Sequence, residues 1–61
     1  MKTYYLTAFN KNGETLLNES FEASNDDNAK HTGEQKLTSQ NLLDNSYRCV
    51  SPSGKLILFH P

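Results

Sequence analysis

The chain carries one thiol, Cys49, and two imidazoles, His31 and His60. A thiolate beside an imidazole is the start of a nucleophilic site, and the same groups ligate metals. Neither chemistry fits the pattern. A zinc site needs about four clustered ligands, and one cysteine with two distant histidines does not supply them. The strand reading below turns Cys49 into the core, where cysteine behaves as a small hydrophobe, and puts His31 on the wet side of a helix. Asp26-Asp27 offers paired carboxylates for acid–base work. They follow Ser24-Asn25, however, and aspartates at a helix start complement the positive end of its dipole. The glycine stretches Lys11-Asn12-Gly13-Glu14 and Pro52-Ser53-Gly54-Lys55 open no helix, so neither cradles a phosphate. The expectation is a non-enzymatic protein with no catalytic residue, no metal site and no cofactor.

Length and charge narrow the choice. Sixty-one residues predict one domain, 1–61, that buries only about 60% of the surface of its unfolded chain. That leaves little room for a deep cleft. A net charge of −1 with a pI near 6.0 lacks the basic face that nucleic acid or a membrane surface attracts. No apolar stretch approaches the roughly 20 residues that span a bilayer. The start, Met1-Lys2-Thr3-Tyr4-Tyr5-Leu6, has no long apolar segment and no small-residue cleavage site, so no signal peptide is read there. One cysteine cannot staple a fold, which suits a reducing compartment, and the sequon-like Asn18-Glu19-Ser20 then meets no glycosylation machinery. The expected location is the cytoplasm.

The elements that position these residues are two hairpins around a helix. Lys2–Asn10 has strand composition. Asn12-Gly13 reads as a two-residue type I′ turn, which sets Lys11 opposite Glu14 on the return strand Glu14–Ala23. That register places Tyr4, Leu6, Ala8, Leu17, Phe21 and Ala23 on a core face, with Glu19 its only charge. A helix follows from about Asn25 to about Ser39, capped by Ser24 or Asn25. Its buried stripe is Ala29, Gly33 and Leu37, at i, i+4 and i+8. Gly33 costs about 1 kcal/mol of helix propensity against alanine, a cost explained by close approach of the helix to the sheet. Lys30, His31, Glu34, Gln35 and Lys36 fall largely on the wet side. In the polar connection Gln40–Asn45, Leu42 and Leu43 tuck under the domain edge.

Ser46–Ser51 is the third strand, and Ser51-Pro52-Ser53-Gly54 predicts a three-residue hairpin loop with its glycine left-handed. An unbroken register from there pairs Val50 with Leu56, Cys49 with Ile57, Arg48 with Leu58 and Tyr47 with Phe59. Tyr47, Cys49, Ile57 and Phe59 then face the helix, and Arg48, Val50, Leu56 and Leu58 face away. The order β-β-α-β-β predicts an α+β two-layer domain, one helix on a four-stranded and mostly antiparallel sheet. The last strand, apolar on both sides, is expected at the sheet centre.

One helix covers one face of one sheet. A wet antiparallel face should read as polar, yet the outer face reads as Tyr5, Phe9, Leu16, Val50, Leu56 and Leu58 among Thr3, Thr7 and Arg48. Contiguous apolar patches mark contacts. Scattered apolar side chains need no such explanation. The expected function is therefore a protein–protein interaction module or homodimer that uses Tyr5, Phe9, Leu16, Arg48, Val50, Leu56 and Leu58. The partner is unknown, and no membrane is involved. The alternative is a single-stranded nucleic-acid binder that stacks bases on Tyr5 and Phe9 beside Arg48, Lys2 and Lys55. The net charge disfavours it.

Several blocks occur together: Asn12-Gly13 in the first turn, "ESFEASNDDNAK" over residues 19–30, "GEQKL" over 33–37, and "YRCVSPSGKLILFH" over 47–60. In them the chain resembles the YhzD-like family, small proteins of bacilli and staphylococci, over nearly its whole length. The resemblance implies a complete cytoplasmic bacterial protein. It carries over no catalytic residues and leaves function open.

Overall fold

Asn25 opens the helix. Its backbone is extended, and its side-chain oxygen accepts a 2.8 Å hydrogen bond from the Asn28 N–H. That satisfies one of the donors every helix start leaves unpaired. Helix α1 runs Asp26–Ser39 with Asp26 and Asp27 in its first turn. It ends where Asn41 takes a left-handed conformation, φ 61°. The Leu42 N–H then reaches back to the Leu37 carbonyl at 2.8 Å and the Asn41 N–H to that of Thr38 at 3.1 Å. This paired closure commonly brings an apolar residue back onto the last turn. Leu42 packs against the core beside Leu37 accordingly, while Leu43 stays exposed.

The strands are β1 Lys2–Phe9, β2 Thr15–Ala23, β3 Ser46–Val50 and β4 Leu56–His60. This computed structural model describes residues 1–61. The strands form one antiparallel sheet in the order β2-β1-β3-β4 with α1 on one face, an α+β fold. β2 and β3 both run opposite to β1, so they are parallel to each other and need a crossover between them. The helix is that crossover. It crosses the sheet between β2 and β4, and the inward side chains Tyr4, Leu6 and Ala8 of β1 are fully buried. The helix contributes Ala29, Gly33 and Leu37 to the same core, as its spacing predicts. The expectation of a central last strand is not met. β4 is an edge strand, and β1 and β3 are central.

Both hairpins are built alike. Each has a three-residue loop closed by a left-handed glycine: Gly13 (φ 83°) donates to the Asn10 carbonyl and Gly54 (φ 90°) to that of Ser51. In each, the first loop-flanking side chain accepts a backbone N–H across the turn: Asn10 Oδ1 from Glu14, Ser51 Oγ from Lys55. Each then carries a bulge three residues past the glycine, at Leu16 and at Ile57, where the register shifts by one. A bulge puts two residues opposite one and reverses the side-chain alternation beyond it.

The consequences differ. In the first hairpin the expected two-residue loop, with Lys11 opposite Glu14, is wrong. Asn10 faces Glu14 instead. The bulge at Leu16 cancels that error, so Tyr4↔Phe21, Leu6↔Glu19 and Ala8↔Leu17 pair as predicted. In the second hairpin the expected loop is right, and the bulge displaces everything beyond it. Val50 pairs with Leu56, but Cys49 pairs with Leu58, Arg48 with Phe59 and Tyr47 with His60. Leu58 is therefore a core residue and Phe59 a surface one, the reverse of the unbroken register. Ile57, at the bulge, packs partly buried against the core.

Candidate interaction face

The surface away from the helix is built from cross-strand rows. One row runs Ser20, Tyr5, Val50 and Leu56 across β2, β1, β3 and β4, and the next runs Asn18, Thr7, Arg48 and Phe59. Side chains in such rows touch. Tyr5, Val50, Leu56 and Phe59 thus form an apolar patch around Arg48, beside the open edge of β4. Tyr5, Leu56 and Phe59 are 52%, 50% and 57% exposed.

Of the residues expected on this face, the structure brings together Tyr5, Arg48, Val50 and Leu56. Phe9 lies at the far end of β1, between Thr15 and Ser46 and two rows from Tyr5. Leu16 occupies the first bulge and is 44% exposed. Leu58 does not belong to the face: it is 8% exposed and packs under Gly33. Phe59, which the unbroken register buries, takes its place. The signal for this was present. Leu16-Leu17 and Ile57-Leu58 are adjacent apolar pairs at the same distance from a turn glycine. Such a pair breaks the alternation of a half-buried strand.

The helix side holds the ionic groups that carry interactions. Glu19, the one charge on the core face, pairs with Lys36 at 3.2 Å. Lys36 also lies 5.8 Å from the centre of the Phe21 ring, which stacks on Tyr4. Near the start of α1, Tyr4 Oη donates to Asp26 Oδ1 at 2.7 Å, and Lys55 Nζ lies 3.4 Å from Asp26 Oδ2. The Tyr4 hydroxyl hydrogen bond holds the Asp26 carboxyl below its ordinary value, assisted by Lys55 and Lys2 and opposed by burial. The same bond, with burial and the nearby carboxylate, pushes Tyr4 up to about 12. These groups tie β1, and more loosely the second hairpin's loop, to the helix start, and resemble no acid–base pair, because the proton is fixed on the phenol throughout the neutral range. Burial pushes the Cys49 thiol up to about 11, so little of it is the reactive thiolate near neutrality.

The linkage has a testable sign. Asp26 has a depressed folded value. Its contribution is present above the unfolded value near 3.8 and is lost as pH falls through the folded one. Tyr4 has a raised value. Its contribution is full below 10.0 and is lost as pH rises through about 12. Carboxyl-carbon NMR is expected to show Asp26 titrating below an ordinary aspartate, and Tyr4→Phe to move that midpoint upward. An unmoved midpoint would remove the hydroxyl as its cause.

The match to known sequences follows the whole of this architecture. The family model described as "YhzD-like protein" matches residues 1–61. The chain belongs to the YhzD-like family. It is 47% identical over 60 residues, 98% of each chain, to "Uncharacterized protein YhzD" of Bacillus subtilis (strain 168). No solved structure matches it. This YhzD-like chain combines a sheet covered on one side with an apolar patch on the other. No helix of the fold is long and apolar enough to cross a membrane.

Proposed function

We propose that this chain is a cytoplasmic, non-enzymatic protein–protein interaction module whose contact surface is the outer sheet face. One observation carries the reading: Tyr5, Val50, Leu56 and Phe59 are neighbours on a sheet face that no element of the chain covers. Thr3, Thr7, Asn18 and Ser20 border that patch and separate it from Phe9 at the far end of β1, giving it a polar boundary, as contact surfaces have. The single cysteine, left unpaired, supports the cytoplasm.

Leu56→Glu with Tyr5→Lys is expected to leave the fold intact and to abolish retention of whatever the parent chain captures from native cytoplasm. Mass spectrometry of the two captured sets makes the comparison, and identical sets would sink the reading. Titration with single-stranded RNA separates the rival. Tight binding that weakens steeply with salt would assign the patch to nucleic acid.

A further inference from the structure

We infer that the open edge of β4 pairs, antiparallel and about a two-fold axis, with β4 of a second copy of this chain. The inference takes the outer face as a contact surface, as proposed above, and names its partner.

The geometry comes from the bulge. In an antiparallel ladder, successive residues turn their N–H and C=O groups alternately to the two neighbouring strands. The Ser51 N–H bonds the Lys55 carbonyl, so Lys55 turns toward β3 and Leu56 turns outward. Counting back along β3 from Ser51, Arg48 turns toward β1, and its partner Phe59 also turns outward. Leu56 and Phe59 are three apart in sequence. They lie opposite Val50 and Arg48, however, which are two apart. The bulge thus draws the two outward residues to the spacing of a regular strand, about 6.8 Å. Bulges usually protect an edge. This one leaves two sets of free backbone groups at the spacing a two-fold ladder requires. Leu56 pairs with Phe59 of the second copy and Phe59 with its Leu56, while Ile57 and Leu58 flank the axis.

Side chains and charge select a second copy over a different strand. Leu56 and Phe59 are outward on the backbone and also on the outer face, so pairing doubles the apolar patch and sets each leucine against a phenyl ring, a favourable cross-strand pair. The segment Leu56–Phe59 has no charge, so its own copy brings no repulsion. The other edge differs. β2 runs Thr15–Ala23 with Glu19 at its midpoint, so the equivalent self-pairing sets Glu19 against Glu19.

A 61-residue chain is accessible to chemical synthesis. N-methylation of Phe59 deletes the outward donor and keeps every side chain, and Phe59→Lys serves as a second variant should the methylated chain fold poorly. Analytical ultracentrifugation of the parent is expected to show a reversible species of twice the chain mass. Both variants are expected to lose it while keeping the helical circular dichroism. Amide exchange at Leu56 and Phe59 is expected to slow as the parent is concentrated. A parent that stays monomeric at millimolar concentration overturns the edge pairing. It leaves the outer-face reading to its own capture comparison. A dimer that persists with N-methyl-Phe59 but is lost with Tyr5→Lys also overturns it, because the copies then meet face to face.

Discussion

Leu58→Lys unfolds the domain, and Phe59→Lys leaves it folded. Leu58 points beneath the helix, where its Cδ1 would lie 3.0 Å from a methyl group on Gly33, and it closes a cluster with Cys49, Leu6 and Leu37. Truncating such a leucine to alanine costs about 2–5 kcal/mol. Lysine adds the burial of an unpaired ammonium, which a small domain with a stability of roughly 5 kcal/mol does not withstand. Phe59 is more than half exposed and lies opposite Arg48. Its replacement falls among surface changes of about ±0.5 kcal/mol. Thermal melting monitored by circular dichroism separates the two. A folded Leu58→Lys beside an unfolded Phe59→Lys would restore the unbroken register and put Leu58 in the patch in place of Phe59.

Gly33→Leu is expected to destabilise the fold by about 1–3 kcal/mol, although leucine is the better helix former by nearly 1 kcal/mol. The clash decides the sign. A Cβ at Gly33 already meets Leu58 Cδ1 at 3.0 Å and touches Cys49 Sγ and Phe21 Cζ at 3.9 Å each, so the remaining atoms of a leucine have no space between helix and sheet. Urea unfolding measures the difference. A variant more stable than the parent would place Gly33 away from the sheet and rotate the helix phase.

Most of the architecture is legible in the residues themselves. The helix is the clearest case. Asn25 and two aspartates mark its start, and Ala29, Gly33 and Leu37 mark its seat, because cap chemistry and a four-residue spacing are local signals. Its end is harder. The left-handed cap falls on Asn41 within a polar stretch whose other asparagine, Asn45, is not left-handed. The strand faces were readable only up to the bulges. Register is a running count, and one extra residue inverts every side chain beyond it. In the first hairpin two misreadings cancel between Asn10 and Leu17. In the second nothing offsets Ile57, so Leu58 and Phe59 exchange roles.

Strand order was not legible for a related reason. The run Leu56–Phe59 looks like a strand buried on both faces. Its apolar residues in fact serve three ends: Leu58 in the core, Ile57 at the bulge, and Leu56 with Phe59 on an open surface. Hydropathy counts these alike. What separates them is the pairing with β3, a contact between strands that the composition of either strand alone does not specify.

The bulge at Ile57 places Phe59 on the outer face, and both its membership of the patch and the spacing of the free groups on the β4 edge depend on it. Proton relaxation with a soluble paramagnetic probe measures that placement directly. Strong relaxation of the Phe59 ring, with the Leu58 methyls shielded to the level of Leu6 and Leu37, is the expected result. Shielded Phe59 ring protons beside strongly relaxed Leu58 methyls, in a sample dilute enough to be monomeric, would contradict it.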